Sequence, residues 1–150
     1  MKLGFIGCGN MANAMIAGII GNGICKAEEI IGTAKSEASR VRVNKEFGIY
    51  MTGDNKEAAE KADVIVLSVK PQFYEEVICE IKDVMKDNQI VVTIAPGKTL
   101  AWLEEKFGKP VKLVRTMPNT PAMVQEGMTG VCKNTYVTES EIEHVCDILR

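Results

Sequence analysis

Leu3-Gly4-Phe5-Ile6-Gly7-Cys8-Gly9-Asn10-Met11-Ala12 is the stretch whose reading decides the fold. Leu3, Phe5 and Ile6 read as a short apolar strand. The turn after it spells GxGxxA at the opening of a helix, a dinucleotide-binding fingerprint with alanine in the third small position. Gly7 lets the chain leave the strand sharply, where a side chain would clash. Gly9 has no Cβ, so a pyrophosphate can come against the backbone, and Ala12 lets the helix pack closely on the strand. The helix carries Met15, Ile16, Ile19 and Ile20 and stops at Gly21-Asn22-Gly23. Its first N–H groups and positive dipole end suit phosphate oxygens. The alternative is a glycine turn without a ligand.

Beyond this unit, strand and helix patterns alternate. Strands are expected over residues 29–32, 49–52, 63–69, 89–94, 111–115 and 128–133. The runs at 63–69 and 89–94 are almost continuously apolar and β-branched, as in strands buried on both faces of a parallel sheet. A helix over 36–47 ends at Gly48, and Asp54 with Glu57 reads as a capping box opening another. Val77, Ile78, Ile81, Val84 and Met85 form one helical stripe, and Thr99 caps a helix closed by Gly108. Thr138 with Glu141 is a second capping box, followed by a stripe of Ile142, Val145, Cys146 and Leu149. The class is α/β: a Rossmann-like, doubly wound, mostly parallel sheet with helices on both faces. Residues 1–150 read as one NAD(P)-binding domain. The abrupt stop at Arg150 is expected to be a cut from a longer protein, leaving the last apolar stripe exposed.

The 150 residues, 46% hydrophobic and 25% charged, describe an ordinary globular protein. A net charge of -2 offers no basic footprint for nucleic acid or an anionic membrane. No apolar run approaches the roughly 20 residues of a membrane span, and the cytoplasm is the expected compartment. The five cysteines are scattered and there is a single histidine, His144, so no metal site is expected. Cys8, inside the glycine turn, reads as a small filler in preference to a thiol activated by the helix start.

An NAD-binding domain usually places an acid at the end of the second strand to hold the ribose 2′-OH. Here that position reads Thr33-Ala34-Lys35-Ser36, with Arg40 one turn later. Hydroxyls and cations suit a 2′-phosphate, so NADP(H) is favoured, with NAD(H) still compatible and Lys35 as a plain surface lysine the alternative. In doubly wound sheets ligands bind beyond the carboxyl ends of the strands. That singles out Ser68-Val69-Lys70-Pro71, Ala95-Pro96-Gly97 and Met117-Pro118-Asn119-Thr120-Pro121.

Taken together, Gly4 to Ala12, Asn55-Lys56-Glu57, Ser68 to Pro71, Ile90-Val91-Val92 through Gly97, and Arg115 to Pro121 followed by Glu126-Gly127 resemble the pyrroline-5-carboxylate reductases. The resemblance implies that Ile6, Gly7, Cys8, Gly9, Asn10 and Met11 hold the pyrophosphate. It implies that Lys35 and Ser36 meet the 2′-phosphate and Asn55 the adenosine half. Ser68, Val69, Lys70, Pro71, Ala95, Pro96 and Gly97 would line the path to the nicotinamide, with Asn119 at its ring. The chain departs from the family at Pro96, which has no N–H to give a cofactor. The implied reaction is hydride transfer from NADPH to 1-pyrroline-5-carboxylate, giving L-proline. A second, helical domain that binds the substrate and makes a homo-oligomer is expected outside this chain, so no catalytic residue is assigned within it. Two other readings share the glycine turn: a different two-domain NADP-dependent reductase or hydroxyacid dehydrogenase, and a non-catalytic NADP-sensing module.

Overall fold

A strand without a polar side chain is satisfied only inside a sheet covered on both faces, and β1 (Leu3–Ile6) is buried along its whole length. In the computed structural model, which describes residues 2–94, 98–118 and 128–149, β1 lies inside a seven-stranded sheet. The other strands are β2 (Ile30–Thr33), β3 (Tyr50–Thr52), β4 (Val64–Leu67), β5 (Ile90–Thr93), β6 (Lys112–Pro118) and β7 (Met128–Lys133). Their order is β3-β2-β1-β4-β5-β6-β7; every neighbouring pair is parallel except β6 and β7. The order reverses between β1 and β4, which is where such sheets open a crevice.

Side chains alternate across each strand and build two cores. On one face Leu3, Phe5, Val66 and Val92 meet Ala12, Ile16 and Ile19 of α1 (Asn10–Gly21), Val43 of α2 (Glu37–Phe47) and Val145 and Ile148 of α6 (Glu139–Leu149). On the other face Ile6, Ile65, Leu67 and Val91 meet α3 (Asn55–Lys61), α4 (Tyr74–Ile81) and α5 (Leu100–Phe107). The alanines of α3 let it lie so near β1 that a Cβ on Gly4 would stand 2.8 Å from Ala62 Cβ.

The expected elements are present, with shifted ends. The second strand begins one residue late, because residues Ala27–Glu29 form a 3-10 turn. The fourth stops at Leu67 and leaves Ser68 and Val69 to the loop. α4 ends at Ile81; Val84 and Met85 fall in the turns beyond it, though Met85 is still buried. β6 runs on to Pro118 because β7 pairs alongside it.

Ser36 and Thr99 cap α2 and α5 through their hydroxyls, and Thr138 and Glu141 make the reciprocal capping box before α6. The box at Asp54 is only half formed. Asp54 Oδ1 accepts from Lys56 N at 3.0 Å, but Asp54 N turns to Thr52 Oγ1. Glu57 faces the edge strand instead, where it accepts from Tyr50 Oη at 2.7 Å and Lys61 Nζ at 2.9 Å. The expected exposure of the last stripe is also corrected: α6 packs against the sheet beside α1, through Val145 and Ile148.

The donors around Glu57, Thr52 first and then Lys61 and Tyr50, hold its carboxyl down to about 2. A carboxyl lowered on folding stabilises the fold fully above its unfolded range and loses that contribution as pH falls toward its folded value. The variant Glu57→Gln should therefore melt below the wild type at pH 7, with the gap narrowing steadily from pH 5 to pH 3 in a thermal denaturation series. A gap that is independent of pH would contradict this network.

Candidate functional site

The parallel strands end on one edge, and the backbone groups there need partners that the ladder no longer supplies. Hydroxyl side chains provide several of them. Gly7 N donates to Thr33 Oγ1 at 2.9 Å and Cys8 N to Thr33 O at 2.8 Å, which ties the glycine turn to β2. From the other flank Ser68 Oγ directs its hydrogen at Ile6 O, 3.0 Å away, and Gly7 O, 2.8 Å away. Tyr74, fully buried, donates to Leu67 O at 2.6 Å and accepts from Ile94 N at 3.4 Å, so the tips of β4 and β5 share one phenol. Thr116 Oγ1 donates to Thr93 O at 3.1 Å and does the same for β5 and β6.

The turn held in this way presents backbone to solvent. Gly7 has φ 89, and a Cβ on it would collide with Val69 Cγ1. Gly9 differs: its φ of -97 is ordinary, and a Cβ there would meet nothing within 4 Å. That open space lies over the first turn of α1, where no side chain caps the helix and no acidic residue stands. Asn10 is exposed, Met11 half-buried and Ala12 buried. Unclaimed N–H groups, a positive dipole end and a space that any Cβ would begin to fill fit a diphosphate. Cys8 points the other way. Burial pushes its thiol up to about 11, and its Sγ would stand 2.6 Å from a Cβ on Gly32, so it is a filler.

Beside this cradle is the loop after β2. Arg40 Nη1 donates to Ala34 O at 2.8 Å and Lys35 O at 2.9 Å, gripping the loop with one nitrogen and keeping its positive charge there. Ser36 Oγ is engaged as the N-cap of α2. Thr33, counted in the sequence among groups suited to a 2′-phosphate, is instead buried with its hydroxyl on Gly7 N, turned away from any ligand. Lys35 is exposed, with its ammonium 4.9 Å from the centroid of the Phe73 ring. Asn55 stands apart from this group, because its side-chain amide donates to Glu80 Oε2 of α4 at 3.2 Å.

After β4, Val69 packs against Gly7, Lys70 and Pro71 are exposed, and residues Pro71–Phe73 form a 3-10 turn closed by Phe73 N donating to Lys70 O. Ala95, Pro96, Gly97 and Asn119 lie outside the described residues. Sequence reasoning missed Tyr74, whose signal was its place at the head of the α4 stripe, three residues before Val77. It also missed Phe73.

The family described as NADP oxidoreductase coenzyme F420-dependent matches residues 2–97. The chain belongs to that family. Its relatives include the pyrroline-5-carboxylate reductase of Vibrio alginolyticus, 39% identical over 99% of this chain and 54% of the relative. Among solved structures, a pyrroline-5-carboxylate reductase of Coxiella burnetii superposes with a TM-score of 0.92 at 35% identity, covering 99% of this chain and 55% of that one. The pyrroline carboxylate reductase of Plasmodium falciparum, solved with NADP bound, gives 0.86 at 33% identity, covering 99% and 54%. The chain thus spans about half the length of the curated relatives it matches.

The two glycines of the turn should respond oppositely to a methyl group. Gly7→Ala combines a positive φ with a collision against Val69 and should lower stability by about 2–5 kcal/mol in urea unfolding. Gly9→Ala should stay within about 0.5 kcal/mol of the wild type. Equal losses would show that the space over Gly9 is not open.

Proposed function

We propose that this chain is the NADP(H)-binding domain of a pyrroline-5-carboxylate reductase. The observation that carries the reading is the open backbone cradle at Gly9, in a chain whose fold is shared over nearly its full length with a reductase solved with NADP bound. When bound, the reduced nicotinamide supplies a hydride for the C=N carbon of 1-pyrroline-5-carboxylate, yielding L-proline.

The chain's own residues bind and orient. The first turn of α1 and the backbone of Gly7 to Met11 take the pyrophosphate, and Lys35, with Arg40 and Ser36 behind it, takes the 2′-phosphate. Ser68, Val69, Lys70 and Pro71, with Ala95 to Gly97 and Asn119, form the side toward the nicotinamide. Ser68 and Tyr74 act at one remove, since their hydrogen bonds fix the strand tips from which those loops spring. We assign no proton donor to this chain. His144 is exposed on α6, and a cyclic imine is basic enough to be protonated with modest help. We place substrate binding and subunit pairing in the part of the relatives' length that this chain does not span.

Titration of the purified chain with NADPH, followed by nicotinamide fluorescence, tests the reading. Binding should saturate, and Gly9→Ala should abolish it while leaving the fold intact. Lys35→Ala should weaken NADPH by about tenfold or more, the scale of a lost charge-assisted hydrogen bond, and leave NADH unchanged. The chain alone should reduce no pyrroline-5-carboxylate. A flat titration from folded protein would overturn the assignment.

A further inference from the structure

We propose that Phe73 is the face on which the adenine of the bound dinucleotide stacks, and that Lys35, which now covers it, moves to the 2′-phosphate as the base arrives. This rests on the NADP(H) reading above. Phe73 is a large apolar side chain left 38% exposed, and it stands in the turn after β4 on the edge that carries the glycine turn. The Lys35 ammonium lies over its ring, 4.9 Å from the centroid.

The pair joins two loops that are not neighbours, for β2 and β4 lie on either side of β1. Strand spacing puts those loops about 10 Å apart. The contact therefore crosses beyond the end of β1, beside the turn at Gly7. A dinucleotide with its pyrophosphate on α1 has its adenosine ribose at the end of β2. The adenine, attached to that ribose, then comes within one side chain's reach of Phe73.

The chemistry of the exchange is balanced. A π face that attracts a cation also accepts a flat base, and both contacts use the same side of the ring. The 2′-phosphate is a stronger partner for an ammonium than a benzene ring is. Each partner of the present contact would thus gain a better one from the same ligand. Arg40, which grips the carbonyls of Ala34 and Lys35, keeps the loop in place while the lysine side chain changes partner.

The test compares Phe73→Ala and Phe73→Leu with wild type in fluorescence titrations of the chain with NADPH, NADH and reduced nicotinamide mononucleotide, which lacks the adenosine half. Phe73→Ala should weaken NADPH and NADH alike, by about tenfold, the scale of losing one base–aromatic stack. Phe73→Leu should fall between, and the mononucleotide should bind all three proteins equally. Unchanged affinity for both dinucleotides would overturn the proposal, as would an equal loss for the mononucleotide, which would mean that Phe73 only holds its loop. A wild-type chain that binds neither dinucleotide would take down this proposal and the cofactor reading together. Binding by wild type with Phe73→Ala indistinguishable from it would remove only this one.

Discussion

A parallel sheet that stops leaves a row of backbone N–H and C=O groups half inside the protein, and leaving one buried without a partner costs about 1–3 kcal/mol. The architecture of this chain's functional edge follows from how that row is satisfied. Thr33, Ser68, Tyr74 and Thr116 each reach from one element to the terminal backbone of the neighbouring strand or turn. A hydroxyl suits the task because it is small and can both donate and accept. Tyr74 does both, donating to Leu67 O and accepting from Ile94 N. Because side chains settle the strand ends, the first N–H groups of α1 stay uncommitted. The same hydrogen bonds that make the edge rigid therefore leave it receptive.

Charge on this edge is local. The net charge of -2 predicts nothing about an anion site, yet the loop after β2 concentrates Lys35 and Arg40 next to the positive end of α1. Arg40 donates to two carbonyls of the loop, so its own position is fixed by the backbone that it supports. A cation fixed in this way loses little further freedom when an anion binds, which favours affinity.

The fold was legible because its signals are periodic. Four-residue strands without a polar face, separated by caps and by helix-ending glycines, admit little but a doubly wound sheet. What escaped was information carried by how the elements meet, at long range or short. Thr33 looked like a ligand-facing hydroxyl because its partner, Gly7 N, is 26 positions away. Glu57 looked like half of a capping box, and only the pairing of β3 beside α3 shows why Tyr50 and Lys61 draw it off. In α6, Ile142 and Val145 of the stripe pack on the core as read, and Ile148, which the stripe left out, is buried with them. Val145 and Ile148 face the core because α1 and the sheet lie on that side, a tertiary fact that the helix's own sequence could not specify.

The glycine turn joins these threads. Its middle residue, Cys8, is aimed inward, with its sulfur in the space that the missing side chain of Gly32 leaves beside Met51. Burial outweighs the hydrogen bond to the Thr33 backbone and raises the thiol. Gly7 N and Cys8 N are held by Thr33 and Gly9 N by Gly7 O, so the donors that stay open begin with Asn10, in the first turn of α1. Replacing Cys8 with a larger residue would thus push on Gly32 and Met51, and would shift the turn from which α1 starts. The inward sulfur and the outward N–H groups are two consequences of one backbone path.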